Sequence, residues 1–99
     1  MNLRILASAF NDLADGRDFY ERQGPGLGGY FLDSLSSDID SLALYAGIHR
    51  KTFGFHRLLS KRFPYGIYYQ YENERVIVYR VLDLRQDPRK IRAALKSIA

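Results

Sequence analysis

The residues best suited to chemistry are arginines, and four of them lie in or beside the β-rich second half of the chain: Arg57, Arg62, Arg80 and Arg85. An arginine guanidinium presents a planar fork of N–H donors that fits a phosphate group. Placed on neighbouring strands, these four side chains could form a phosphate-binding surface. Such a surface could bind a nucleic acid, and it could also stabilise the charge that develops when a phosphodiester is cut.

Other catalytic and cofactor chemistries lack their residues. The chain has no cysteine, which excludes disulfides and thiolate metal sites. His49 has no second ligand at a metal-binding spacing, and His56, beside Arg57, is interpreted as a surface histidine. The glycines at residues 24–29 lack the preceding strand and the lysine of a nucleotide-binding loop. We therefore expect no metal and no cofactor.

The charge of the chain is unevenly distributed. The formal net charge is +4 and the pI is about 9.5. Acidic residues are concentrated in the first half, whereas basic residues cluster at residues 50–62 and 89–96. A basic half can attract a nucleic acid or an acidic protein partner. The alternative is a solvated basic face without a partner.

The first half of the chain predicts one strand and two helices. Residues 3–6 form a short apolar run, and Ser8 is placed to cap a helix whose apolar residues recur at helical spacing. Gly24, in a left-handed conformation, and Pro25 end that helix. A second amphipathic helix follows over residues 27–46. The two helices predict an antiparallel helical hairpin.

The second half predicts three sequential strands after an irregular basic segment. The strands are residues 55–60, 63–71 and 75–85. Val, Ile, Tyr and Phe are enriched in them, as strands prefer. The last two strands meet at a short polar break centred on Asn73, which favours a turn. Short links between consecutive strands predict an antiparallel meander.

A final helix is predicted over residues 87–97, with Asp87 as its N-cap and Pro88 in its first position. Its apolar residues Ile91, Leu95 and Ile98 are expected to dock on the sheet. The element order β-α-α-β-β-β-α predicts a single α+β domain over residues 1–99. In it, an antiparallel β-sheet carries helices on one face, the N-terminal α-hairpin among them.

Five tyrosines on the last two strands have two interpretations: Tyr65, Tyr68, Tyr69, Tyr71 and Tyr79. They could stack on bases, as aromatic side chains do in single-strand binders. Alternatively, they build the core and keep their hydroxyls at its rim. Alternation along the strand separates Tyr68 from Tyr65 and Tyr69, and one of these sets must face the helices. We therefore expect most of the tyrosines in the core.

Two arginines of the last strand also allow two interpretations. Arg80 interrupts an apolar strand, so it points to an open sheet face used for binding or pairs with an acid such as Asp83 or Glu72. The first interpretation is favoured slightly. Arg85 and Asp87 could form a salt-bridged corner that starts the final helix.

Three short motifs together resemble the RelE/ParE superfamily of toxins from bacterial type II toxin–antitoxin modules. They are Gly26-Leu27-Gly28, Arg62-Phe63-Pro64-Tyr65 followed by Ile67-Tyr68-Tyr69, and the corner Arg85-x-Asp87-Pro88. The resemblance implies one of two activities. RelE-type members are ribosome-dependent ribonucleases that cut messenger RNA, whereas ParE-type members inhibit DNA gyrase. It also implies a partner antitoxin that holds the toxin inactive.

The resemblance locates the nuclease positions, and this chain fills few of them. RelE-type members carry two basic residues, two positions apart, on the strand after the helical hairpin. They carry one arginine early in the next strand and another after the last strand. Related nucleases carry a histidine near the end of the last strand. This chain keeps Arg57 but has Leu59, Gly66, Asp83 and Gln86 at the other positions. Losing one preorganised charged group typically costs about 10²–10³-fold in rate. The resemblance therefore favours binding over cutting.

The chain is accordingly interpreted as a ParE-like plasmid stabilisation protein that inhibits DNA gyrase by binding and is neutralised by a cognate antitoxin. The first alternative is a RelE-like mRNA endoribonuclease that acts on the ribosome. Its catalytic residues would be Arg57, Arg62, Arg80 and Arg85. The second alternative is a non-toxic homologue that only binds antitoxin.

The expected partner-binding surface is made mainly of cations: Arg57, Arg62, Tyr65, Arg80, Arg85, Arg89 and Arg92. The partners are the antitoxin and gyrase, or the ribosome and mRNA in the alternative. The assembly is expected to be a homodimer or a toxin–antitoxin hetero-oligomer. No apolar run approaches the roughly 18–20 residues of a membrane span, so no membrane contact and a cytoplasmic location are expected.

Overall fold

A sheet with helices on both faces forms the centre of the molecule, and the computed structural model describes it over residues 2–97. The strands are β1 (Asn2–Ile5), β2 (Lys51–Thr52), β3 (Phe55–Leu59), β4 (Tyr65–Glu72) and β5 (Arg75–Asp83). The helices are α1 (Ala7–Gln23), α2 (Leu27–Asp40), α3 (Leu42–Tyr45) and α4 (Pro88–Lys96). Within residues 2–97, no helix is both long enough and apolar enough to cross a membrane.

The strands lie in the order β1-β5-β4-β3-β2. The antiparallel meander of β3, β4 and β5 is confirmed. The first strand joins it beside β5 and runs parallel to it. The amide of Asn2 donates to the Glu74 carbonyl at 3.1 Å, and the amide of Leu6 donates to the Val78 carbonyl at 3.0 Å. The predicted α+β class is confirmed, with one parallel pair in an otherwise antiparallel sheet.

Two tight turns close the antiparallel strand pairs. Asn73 and Glu74 connect β4 to β5 with φ values of 51° and 59°. Phe53 and Gly54 connect β2 to β3 with φ values of 54° and 84°. Positive φ at both central residues is typical of the hairpin turn that matches strand twist, and Asn-Gly is its favoured sequence. The strand β2 was not predicted, because residues 48–54 read as an irregular segment.

One face of the sheet is covered by α1 and α2, and we call it the α1–α2 face. Its fully buried residues include Phe31, Leu35 and Ile67. Gly16 lets the helices approach closely, since a Cβ at that position would collide with the ring of Phe31. The predicted position of the N-terminal α-hairpin, on one face of the sheet, is confirmed.

The opposite face is partly covered by α4, and we call it the α4 face. Ile91 and Leu95 of α4 are buried there with Tyr68 and Leu82 of the sheet. The expectation that all helices share one face is therefore wrong for α4. Alternation along β4 is the cause, because it directs Tyr68 away from its neighbours and leaves an apolar patch that α4 covers. Ile98, also expected to dock, lies outside the described residues.

Three local predictions about helix ends differ from the structure. Residues 27–46 do not form one helix, because the Ser41 hydroxyl donates to the Asp38 carbonyl at 2.6 Å and the chain turns there into α3. Ser8 does not cap α1, since its hydroxyl donates to the Tyr79 carbonyl at 2.6 Å. Gly24 has an extended φ of 177°, and the left-handed residue is Gly26.

The start of the last helix agrees with the prediction. The Asp87 side chain accepts a hydrogen bond from the Arg89 amide at 2.9 Å, and proline follows in the first helical turn. A carboxylate in this position satisfies an amide that has no partner within the helix. This corner fixes the direction in which α4 leaves β5.

Candidate functional site

Arg80 is held by α1 rather than exposed on an open sheet face. Its Nε and Nη2 donate to the two carboxylate oxygens of Asp12, each at 2.8 Å. This bidentate hydrogen bonding raises the pKa of Arg80, and burial opposes the rise. The partner is Asp12, not the predicted Asp83 or Glu72, and the favoured interpretation of an open-face arginine is wrong. The Arg80 guanidinium therefore forms a structural ion pair with Asp12.

Arg85 is also paired, but at a different place. Its Nη2 lies 2.7 Å from a carboxylate oxygen of Asp83 and 3.3 Å from the Tyr20 hydroxyl. The guanidinium hydrogen bond lowers the pKa of Asp83 and raises that of Arg85. The predicted Arg85–Asp87 corner is wrong, because Asp87 pairs with Arg89 at 2.7 Å. Asp83 thus accepts hydrogen bonds from a cation and is not free to act as a base.

Arg57 lies beside Gly66 on the α4 face. A Cβ on Gly66 would lie 3.2 Å from Cγ of Arg57, 3.1 Å from Leu84 and 3.2 Å from the ring of Tyr68. The Tyr68 hydroxyl is buried without a hydrogen-bond partner among residues 2–97. Its burial raises the pKa of Tyr68, and nearby Arg57 opposes the rise. Apolar packing under α4 therefore fills the place where the resemblance implied a second arginine.

The other predicted partner-binding residues lie in separate places. Tyr65 is buried in the core, with its ring 4.9 Å from that of Phe31, and burial is the main cause that raises its pKa to about 12. Arg89 is exposed and paired with Asp87. Arg92 of α4 lies over the ring of Phe53, 5.5 Å from the ring centroid. Tyr65 is thus part of the core, whereas the two arginines are on the surface.

The loop between β3 and β4 presents Lys61 and Arg62 and is anchored from below. The buried carboxylate of Asp38 accepts from the Ser60 hydroxyl at 2.6 Å and from the Lys61 amide at 3.4 Å. Both cations are exposed, and neither forms a salt bridge within the described part of the chain. An exposed cation on an anchored loop can contact a partner with little loss of entropy.

A histidine and tyrosine cluster lies at the edge of the α1–α2 face. The Tyr69 hydroxyl accepts from the Gly47 amide at 3.0 Å and lies 2.5 Å from Nδ1 of His49. The ring of His56 stacks on Tyr69 with centroids 5.1 Å apart, and its Nδ1 lies 2.6 Å from the His49 carbonyl. Burial, with a smaller effect from His56, lowers the pKa of His49. Facing positions on β3 and β4 could have indicated the His56–Tyr69 pair.

The cluster is structural rather than metal-binding. Across residues 2–97, no group of three or more His, Cys, Asp or Glu side chains could hold a metal ion. Tyr69 needs a partner for its hydroxyl because it is fully buried, and His49 and Gly47 supply partners. The arrangement ties the segment after α3 to β4.

An apolar surface that the sequence did not reveal lies around α3. Leu44 is 81% exposed, Tyr45 52% and Ile48 72%. We call these three residues the α3 patch. Single exposed apolar side chains are common, but three within five positions indicate a surface suited to a protein partner.

The family of the chain follows from its match to a family model. Residues 3–88 match the model described as "ParE toxin of type II toxin-antitoxin system, parDE". The chain belongs to the ParE toxin family. A similar solved structure is titled "Chromosomal ParDE TA system from P. aeruginosa", with a TM-score of 0.77 and 20% sequence identity. The match covers 85% of this chain and 96% of that chain, and at this identity it supports the fold alone. A comparison with curated proteins gives no match.

Proposed function

We propose that this protein is a toxin that inhibits DNA gyrase by binding to it, and that a cognate antitoxin neutralises it. Membership of the ParE family supports the proposal. The observation that carries it is that two of the four candidate catalytic arginines are already engaged by carboxylates. Arg80 is paired with Asp12 and Arg85 with Asp83, while Arg57 lies beside Gly66. Binding to a protein needs no convergent set of cations, whereas cutting RNA does.

The packing around Gly66 supports binding over cutting for a second reason. A nuclease of the RelE type would need a cation on this part of the α4 face. Here a Cβ would lie 3.1–3.2 Å from the side chains of Leu84, Tyr68 and Arg57, so a larger residue would require them to shift. Overpacking of this kind typically costs about 1–3 kcal/mol. The fold thus uses this part of the face to hold α4.

The antitoxin is proposed to bind at an edge of the sheet. The strand β1 lies at one edge, and the amides of Asn2 and Leu6 point inward toward β5. Alternation therefore directs the amides of Leu3 and Ile5 outward, where an added strand could pair with them. The net charge of +4 would favour an acidic segment and speed its association. The α3 patch is a second surface for the same partner or for gyrase.

The experiment is a supercoiling assay with purified gyrase, relaxed plasmid and ATP. Added toxin should inhibit supercoiling, and added cognate antitoxin should restore it. Arg62→Ala should raise the concentration for half-maximal inhibition by about threefold or more, because a charge at a binding surface mainly accelerates association. Arg17→Ala is the matched control, since Arg17 is exposed on α1 and paired with its neighbour Asp18.

Three outcomes would change the proposal. Full supercoiling in micromolar excess of toxin would overturn gyrase inhibition. Cleavage of mRNA in a purified translation system would replace it with RNA cutting. If neither occurs and induction leaves bacterial growth unaffected, the protein is a non-toxic homologue that binds antitoxin. The proposal also includes a cytoplasmic location, a role in plasmid stabilisation, and a toxin–antitoxin hetero-oligomer in preference to a homodimer.

A further inference from the structure

The α4 face is not fully covered by α4, and two open cavities lie on it. A cavity of about 550 Å³ lies over β4 and β5 beside Gln70, Ile77 and Tyr79. A second cavity of about 270 Å³ lies between α4 and the β2–β3 turn. The rings of Phe55 and Tyr79, with centroids 5.2 Å apart, lie between the two cavities, since Phe55 borders the smaller one and Tyr79 the larger. We call the two cavities together the open groove.

Aromatic rings line the open groove, and one of them is held at a conformational cost. Phe53 is 41% exposed although it has a left-handed φ of 54°. A bulky residue in that region is strained, and the turn would accept Asn more readily. The strain indicates that the ring has a use where it stands, beside Arg92 and next to Phe55.

Unpaired cations surround these rings. Arg75 borders the larger cavity, and Arg92 and Lys96 border the smaller one. All three are exposed and form no salt bridge with any residue between 2 and 97. Arg92 and Lys96 are four positions apart on α4, so they project from the same side of the helix. One carboxylate, that of Glu72, also borders the groove, so the groove remains positively charged.

A flexible polyanion with flat bases fits this surface better than an acidic peptide. The strands beneath the groove use their amides and carbonyls within the sheet, so a peptide would find no backbone partners there. Bases can stack on the rings, and phosphates can pair with the cations, without any free backbone group. We propose that the open groove binds single-stranded DNA through its phosphates and the faces of its bases.

The path of the strand follows from the positions of the rings and cations. Phosphates pair with Arg75 at one end and with Arg92 and Lys96 at the other, while bases stack near Phe53, Phe55 and Tyr79. One N–H of the Gln70 amide is donated to the Gly54 carbonyl at 3.0 Å, which holds this side chain against the β2–β3 turn. Stacking and phosphate pairing do not read base edges, so binding should tolerate any base sequence.

The test is fluorescence anisotropy of a labelled oligo-dT strand titrated with the purified protein alone. Phe53→Asn should weaken binding by at least about fivefold, because stacking of one base typically contributes that much. The same variant should unfold at an equal or higher temperature, since Asn suits the turn. Phe10→Leu is the control, because Phe10 is also an exposed ring but lies on α1, which packs on the other face.

The charge contribution is tested by the salt dependence of the same titration. Arg75→Ala should weaken binding and lower the slope of log affinity against log salt by about 0.7, the value of one phosphate contact with a single strand. Arg22→Ala removes an exposed cation from α1 and should leave the slope unchanged.

Specific results would overturn the inference. They are unchanged affinity in Phe53→Asn, equal binding of duplex DNA, and displacement of the strand by an equal charge concentration of poly-glutamate. A preference of more than tenfold for oligo-U would reassign the groove to RNA. Gyrase is absent from these titrations, so their outcome is independent of the proposed gyrase inhibition.

Discussion

The two faces of the sheet are covered very differently. The α1–α2 face lies under two helices, and several of its aromatic residues form a connected cluster in which Tyr20 and Phe31 stack with ring centroids 5.2 Å apart. The α4 face is covered by nine helical residues, of which only Ile91 and Leu95 are buried. Stability is thus concentrated on one face, while the other keeps exposed rings and cations. A partner could therefore bind to the α4 face without disturbing the core under α1 and α2.

Side chains of α1 bind to the last part of β5, beyond the residues that pair with β1. Pairing with β1 ends at Val78, so the later residues of β5 pair with β4 on one side and have no strand partner on the other. Ser8 donates to the Tyr79 carbonyl at 2.6 Å, and Asp12 accepts from the Val81 amide at 2.9 Å. The helix therefore completes the edge of the strand, and the same carboxylate fixes Arg80. Arg80 is a structural residue for this reason.

The largest expected effect comes from a cavity on the α1–α2 face. Leu35→Ala should lower the free energy of unfolding by about 3–4 kcal/mol, because Leu35 is fully buried and its neighbours are fixed by two helices and the sheet. Urea denaturation followed by circular dichroism measures the change. A loss below about 1 kcal/mol would show that this face does not hold most of the stability.

The same substitution on the α4 face should have a smaller and more local effect. Leu95→Ala should cost about 2 kcal/mol, the low end for a buried leucine, because α4 borders the open groove and can shift into it. Hydrogen exchange should accelerate at the amides of α4 while β4 stays protected. Equal acceleration in both elements would mean that the two faces unfold as one unit.

Patterns within one element were readable from the sequence, whereas contacts between distant elements were not. Asn73 marks a tight turn and Asp87-Pro88 marks a helix start, because each depends on its own backbone conformation. Alternation correctly separated Tyr68 from Tyr69. Periodicity cannot say which helix covers which face, so α4 was misplaced. Nor can it pair Arg80 with Asp12, which lies 68 positions away.

The carboxylate partners of the candidate arginines were hidden for the same physical reason. An arginine can pair with any carboxylate that the fold brings within reach, and local sequence gives only its neighbours. Arg85 was expected beside Asp87 and pairs instead with Asp83, two positions to the other side. The open groove was also hidden, because its rings come from the β2–β3 turn, β3 and β5 and its cations from β5 and α4. Three-dimensional placement was needed to bring these residues together.

The smallest expected effect is a pH dependence that arises on the α1–α2 face alone. Burial lowers the pKa of His49, so as the pH falls the unfolded chain takes up a proton, near the ordinary histidine pKa of about 6.5, before the folded protein does. Stability should therefore be complete above that pH and should fall as the pH drops below it. The groups facing His49 are the Tyr69 hydroxyl and His56. Carboxylates titrate mainly below about pH 5 and stay charged in this window.

Urea midpoints measured at about pH 7.5, 6.5 and 5.5 test this dependence, because these values bracket the ordinary histidine pKa. The urea midpoint of the wild type should decrease as the pH is lowered from the highest to the lowest of these values. The His49→Gln variant should show little of this decrease, even if its midpoint is lower at every pH. His56→Gln is the matched control, since His56 stacks on the same tyrosine. If His56→Gln flattens the profile and His49→Gln does not, the titrating group is His56. If neither variant flattens the profile, the stability of the α1–α2 face does not depend on histidine protonation. The two faces then differ in stability only through their packing.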